Sequence, residues 1–158
     1  FASRVYVHDR VTLATSSVPL PVLNAVTATG CRENDVADNG VVVLTCFFGS
    51  GLFDQVYLHI PGAAGTPFLI SSDINDVAGN QVSGTRVAID ASGLSMIFDS
   101  LASNLVGNDF NGVSDSFILI DEGILDGIFA DSLSSQLLTP AGSVASGYTA
   151  SAQIGVAV

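Results

Sequence analysis

Asp109, Asn111 and Asp115 stand close together in the stretch "NLVGNDFNGVSDSFILID" (Asn104 to Asp121), where Asn, Asp, Gly and Ser lead straight into an apolar strand. Oxygen-bearing side chains at this alternating spacing could begin a calcium loop. A hard cation takes six to eight oxygens, and backbone carbonyls and water can complete the set. The pattern lacks the third acidic position and the terminal bidentate Glu of an EF-hand. The same residues also suit a tight turn: Asn108, Asp109 and Asn111 as Asx turns, Asn111-Gly112 supplying positive φ, and Asp115 capping the strand entry. Turn capping is the expected role. It needs no cofactor, and Ca2+ is the one cofactor these residues leave open.

Few other side chains could do chemistry. His8 and His59 occupy matching places in "VYVHD" and "VYLHI", and a third matching segment has Ile120 there. A histidine that exchanges with isoleucine reads as a packing position rather than a base. Tyr6 and Tyr57 match Ile118 in the same way and read as packing rather than as a ligand stack. Asp121, Glu122, Asp126 and Asp131 lie close together in "DEGILDGIFAD". Paired carboxylates can hydrolyse glycosides, but these flank a turn and are expected to solvate it. The chain has no Gly-x-Ser-x-Gly elbow, His-Glu-x-x-His, phosphate loop or Cys-x-x-Cys. With two histidines and no lysine, few groups could act as a base near neutral pH, so no enzyme activity is expected.

Cys31 and Cys46 are the only cysteines, and the turn signal "ADNG" lies near the centre of the segment between them. With Asp38 and Asn39 as a two-residue hairpin loop, Ala37 pairs with Gly40 and Cys31 falls opposite Cys46. Opposed β-carbons lie about 4.5–5.5 Å apart, and the closer pairs approach disulfide distance. A Cys31–Cys46 disulfide is therefore expected, and with it an exported, extracellular or cell-surface protein. Two free thiols packed as small hydrophobes are the alternative.

The elements that position these residues repeat. "SRVYVHDR" from Ser3, "DQVYLHIP" from Asp54 and "DSFILIDE" from Asp115 align, each a polar pair followed by an aromatic or β-branched strand. Upstream, "DVADNGVVVLT" (Asp35 to Thr45) matches "AIDASGLSMIF" (Ala88 to Phe98), with Gly40 on Gly93. The unit is strand, Gly turn, strand, variable loop, strand, with a fourth strand in "VTLATSS", "PFLISS" and "GIFADS". About four antiparallel strands recur every roughly 50–60 residues, a period that fits propeller blades. The expected fold is all-β: antiparallel four-stranded propeller-like blades in an incomplete propeller of about three. A single domain spans 1–158, with a partial blade at 1–20, blades at 28–73 and 82–135, and a strand-donating tail at 137–158. The short loop "FFGSGLF" of the first full unit keeps Asp54 without counterparts to Asp109 and Asn111, so any cation site would be single.

Residues 82–121, "VSGTRVAIDASGLSMIFDSLASNLVGNDFNGVSDSFILID", resemble a TolB-type bacterial β-propeller repeat. The resemblance lies in the acidic-Gly hairpin, "SLASNLV", the Asn/Asp-Gly loop, Ser-Asp and the apolar strand. It is fair over 28–73, partial over 1–18 and absent over about 137–158. It implies a propeller fold and, for most members, a role as an interaction platform; some propellers are enzymes, and fold analogy does not choose between the roles. The resemblance also implies that loops of the Asp109 type act as structural braces.

Composition narrows the partners. The formal charge is −11, from 15 acidic residues against four arginines and no lysine. No basic side chains can cluster, so nucleic acid is excluded as a partner and anionic membrane surfaces are disfavoured. Mean hydropathy is +0.54, yet no stretch reaches the roughly 18 uninterrupted apolar residues of a membrane helix, so no membrane insertion is expected. The acidity reads as a solvated surface. The opening "FASRVYVHDR" reads as a strand, as expected of a mature or processed product or a piece of something longer.

Three blades are too few to close a ring of about four to eight. The tail "GYTASAQIGVAV" (Gly147 to Val158) carries no charge and alternates loosely between small or polar and apolar residues. Such a strand suits addition to an exposed sheet edge, and the expected acceptor is the partial N-terminal blade. Tyr148, Ile154, Val156 and Val158 as donor, with Val5, Tyr6 and Val7 as acceptor, would join copies into a homo-oligomer or filament by heterologous contacts. The expected function is a secreted, non-enzymatic assembly subunit. A lectin-like module binding a glycan or a cation, or a fragment of a larger propeller protein, are the alternatives.

Overall fold

The computed structural model describes residues 3–49, 51–63, 65–121 and 148–149. Every regular element among them is a strand, and every pairing is antiparallel. The N-terminal strands are β1 (Tyr6–His8), β2 (Thr15–Ser17), β3 (Val22–Leu23) and β4 (Val26–Thr27). They are followed by β5 (Gly30–Val36), β6 (Val42–Phe47), β7 (Gln55–His59) and β8 (Phe68–Leu69). The last group is β9 (Ser83–Ile89), β10 (Ser95–Ser100), β11 (Asp115–Asp121) and β12 (Tyr148–Thr149). They form two four-stranded sheets, β5-β6-β7-β8 and β12-β11-β10-β9, and two two-stranded sheets, β1-β2 and β3-β4. The all-β expectation holds at this level.

The two four-stranded sheets repeat in register. Val42↔His59, Leu44↔Tyr57 and Cys46↔Gln55 of the β6–β7 ladder match Ser95↔Ile120, Ile97↔Ile118 and Asp99↔Ser116 of β10–β11. The offset is constant along each strand, 53 residues from β6 to β10 (Val42 to Ser95) and 61 from β7 to β11 (His59 to Ile120). The glycines aligned from sequence, Gly40 and Gly93, both take left-handed φ, +83° and +77°. A residue with a Cβ would be strained there.

The first hairpin departs from its expected turn while arriving at the expected pairing. Ala37 N–H donates to the Val41 carbonyl, so the loop is three residues, Asp38 to Gly40, with Gly40 left-handed. That connection alone would set Cys31 opposite Phe47. A β-bulge between Glu33 and Asp35 shifts the register by one and restores Cys31↔Cys46. Three-residue loops with a left-handed Gly are a common hairpin solution, and the sequence count overlooked both the longer loop and the bulge that compensates it.

Two further differences concern strands. The segment 22–27, to which no strand was assigned, is a small hairpin whose central Asn24 and Ala25 both have positive φ, +48° and +64°. The fourth strand of the second large sheet is β12, where Tyr148 and Thr149 pair with Asp121 and Ile120. The expected strand "GIFADS" lies outside the described residues, and the start of the tail thus has a partner in its own chain. An exposed β11 edge offers unpaired N–H and C=O groups, and a nearby strand of the same chain satisfies them without a second molecule.

Alternation along β6 and β7 gives the first large sheet two buried faces. Val43, Val56 and Leu58 share a core with Met96, Phe98, Phe117 and Leu119 of the second sheet. Val42, Leu44, Cys46 and Tyr57 form a second core, against which Val5 and Val7 of the N-terminal hairpin pack. Polar contacts join the two large sheets. The Thr45 hydroxyl and the Arg32 guanidinium donate to the Gly84 carbonyl at 2.8 and 3.1 Å, and Ile89 N–H donates to the Asp35 carboxylate at 3.0 Å.

Candidate functional site

The loop before β11 brings Asp109, Asn111 and Asp115 together. Leu105, 1% exposed, anchors its start in the core. Asn104 ties it to the preceding segment, donating to the Ala78 carbonyl at 3.0 Å and accepting from Asn80 N–H at 2.8 Å. Asn108 and Gly112 turn the chain with φ of +67° and +69°. Asn111 makes the expected Asx turn, its side-chain oxygen accepting from Val113 N–H at 3.0 Å. Its amide also donates to both carboxylate oxygens of Asp115, at 3.2 and 3.3 Å.

Asp109 takes the expected Asx-turn hydrogen bond from the Asn111 backbone, yet it is also buried. The residue is only 5% exposed and Asp115 only 3%. Asp109 Oδ1 is buried with no hydrogen-bond partner among the described residues. Burial raises the Asp109 carboxyl above the usual range, the neighbouring Asp115 charge and a side-chain hydrogen bond with Asp115 raise it further, and a hydrogen bond from the Asn111 backbone opposes them. Two carboxyls are thus withdrawn from water side by side.

The matching aspartate of the first sheet meets different surroundings. Asp54 occupies the place of Asp115 at the β7-to-β11 offset and is half-buried. Burial raises its carboxyl, and the positive Arg32 nearby pulls it back down. Arg32↔Thr45 matches Val87↔Phe98, because the register shift between Phe98 and Ser100 gives β9 two more residues than β5 there, and this puts Val87 at the place of Arg32. The second sheet therefore keeps the aspartate, adds a second one at Asp109 and replaces the cation by a neutral residue.

The remaining sequence candidates disperse. Cys31 and Cys46 are disulfide-bonded. His8 is exposed, its Nδ1 within 2.8 Å of the Thr15 hydroxyl, and His59 is half-buried, with burial lowering its pKa. Tyr57 packs in the second core and stacks at a tilt on Phe48, whereas Tyr6 is 62% exposed and does not share the packing role expected of both. Burial raises the Tyr57 hydroxyl, which has no hydrogen-bond partner among the described residues. Of the expected assembly residues, Val5 and Val7 are half-buried and Tyr148 is in β12; Ile154, Val156 and Val158 lie outside the described residues, as do Glu122, Asp126 and Asp131. Sequence reading missed a buried polar link at Gln55. Its amide donates to the Gly79 carbonyl at 2.8 Å, and its oxygen accepts from the Ser71 hydroxyl at 2.6 Å. The signal was a Gln beside a strand entry, which also reads as solvated.

The described residues define a disulfide-bonded, all-β protein with two matching four-stranded sheets and a buried pair of carboxyls. No family model, curated protein or solved structure matches the chain.

Proposed function

We propose that the chain is an exported, non-enzymatic structural subunit of propeller-like repeats that self-associates through strand edges. The observation that carries this reading is the two-stranded β1–β2 sheet beside two sheets of four. Its Val5 and Val7 rest on the second core as a third repeat would, while Tyr6 and all of Thr15–Ser17 stay exposed. A two-stranded ribbon is marginal alone, and its open edges suit strand addition from a neighbouring copy. The Cys31–Cys46 bridge supports an oxidising, extracellular setting, and the repeat in register supports the resemblance to TolB-type blades. Successive copies joined this way meet through heterologous contacts, which build rings or filaments.

Light scattering on the full chain and on a chain lacking residues 150–158 tests the proposal, because that deletion leaves β12 in place. Large particles from the full chain and a small folded species from the shortened one are expected. A full chain that stays monomeric, or a shortened one that forms particles of the original size, rules out tail-driven assembly. A discrete oligomer that binds a glycan would favour the lectin-like reading.

A further inference from the structure

We propose that Asp109 and Asp115 hold a calcium ion, and that this ion locks the long loop onto the entry of β11. The observations come from the loop itself and do not depend on how copies of the chain associate. Each residue is more than nine-tenths buried, and Asp109 Oδ1 has no partner among the described residues. Buried carboxylates side by side are costly unless a positive charge or a proton stands with them. Within the loop the Asn111 amide donates to Asp115 at the long distances of 3.2 and 3.3 Å, and the Asp109 side chain hydrogen-bonds that of Asp115.

Comparison between the repeats sharpens the point. Asp54, in the place of Asp115, has the positive Arg32 acting on it, and the second repeat has the apolar Val87 where Arg32 stands. The sequence has removed a resident cation and added a second acid at one site. A free cation restores the balance there. Calcium suits it better than magnesium, because carboxylates in an irregular loop tolerate the flexible coordination of calcium and not the strict octahedron of magnesium.

The experiment measures the melting temperature of the full chain at pH 7 in chelator, in millimolar calcium and in millimolar magnesium, with terbium luminescence as a direct binding signal. Extracellular calcium modules bind at about 10⁻⁴–10⁻³ M, so millimolar calcium is expected to raise the melting temperature by several degrees, with magnesium doing little. Asp109→Asn is expected to abolish both the shift and the terbium signal, while Asp54→Asn keeps them. The proposal fails if calcium leaves the melting temperature unchanged and terbium does not bind. A chain without calcium response whose melting temperature rises on Asp109→Asn would assign the pair a shared proton instead. A response that survives Asp109→Asn would place the ion elsewhere. Particle size in calcium and chelator is read separately, so loss of assembly and loss of ion binding remain distinguishable.

Discussion

Cys31 and Cys46 illustrate how a right pairing can rest on an incomplete count. They were expected to face each other across a two-residue loop, and they do so across a three-residue loop followed by a bulge. The disulfide tolerates no register slip, so the bulge and the bond support each other. Intact mass measured without reduction should be two hydrogens below the reduced mass, and two alkylated thiols in the native protein would refute the bridge. The bond closes a sequence separation of 15. Replacing both cysteines by alanine should cost on the order of 3 kcal/mol in a denaturant melt. The Asp109 pair shows the opposite limit of sequence reading. Residue types and spacing named Asp109, Asn111 and Asp115, but an aspartate in a turn normally faces water. Nothing in a local pattern says that both carboxyls are buried; Leu105 in the core and the links through Asn104 make them so.

At the level of elements, turn chemistry and apolar runs made β5 to β7 and β9 to β11 legible, because a Gly turn joins each first pair and β6, β7, β10 and β11 carry the apolar segments. The short strands were not. The hairpin at 22–27 turns on Asn24 and Ala25, and Ala at positive φ carries no sequence signal. In the second hairpin the turn is held by one side chain. Asp90 accepts from Leu94 and Ser95 N–H groups at 2.9 Å each and from the Ser92 hydroxyl at 2.6 Å. The Ser92 hydrogen bond, followed by that from Ser95, lowers the Asp90 carboxyl below the usual range. A carboxyl depressed in the folded state contributes stability above its unfolded value, near 3.9, and loses it as pH falls through the folded value. Asp90→Ala should therefore lower the melting temperature near neutral pH, and the gap from the parent should narrow as pH drops below about 4. A gap that stays constant down to pH 2 would mean that Asp90 does not titrate against the turn.

For the molecule as a whole, the repeat tells which strands correspond, but it does not tell how one sheet meets the next. That contact is made where Gly84 lies against the first sheet. A Cβ built on Gly84 would fall 2.6 Å from Val56 Cγ2 and 2.7 Å from Thr45 Oγ1, and its φ is +81°. Val56 and Thr45 are fully buried, so neither side chain has room to withdraw. The Gly84 carbonyl also receives the Thr45 and Arg32 hydrogen bonds that join the sheets. Nothing in "SGTR" announces this contact, because closeness between distant segments leaves no mark on either one. Gly84→Ala combines a left-handed φ, worth about 1–2 kcal/mol for a residue with a Cβ, with overpacking that typically costs 1–3 kcal/mol. Gly62 separates the two effects: its φ is +79° and a Cβ there meets nothing within 4 Å. Gly62→Ala should therefore cost only the backbone part, and Gly84→Ala about 3 kcal/mol or more in the same denaturant melts. Equal losses at the two positions would mean that the sheets do not approach each other at Gly84.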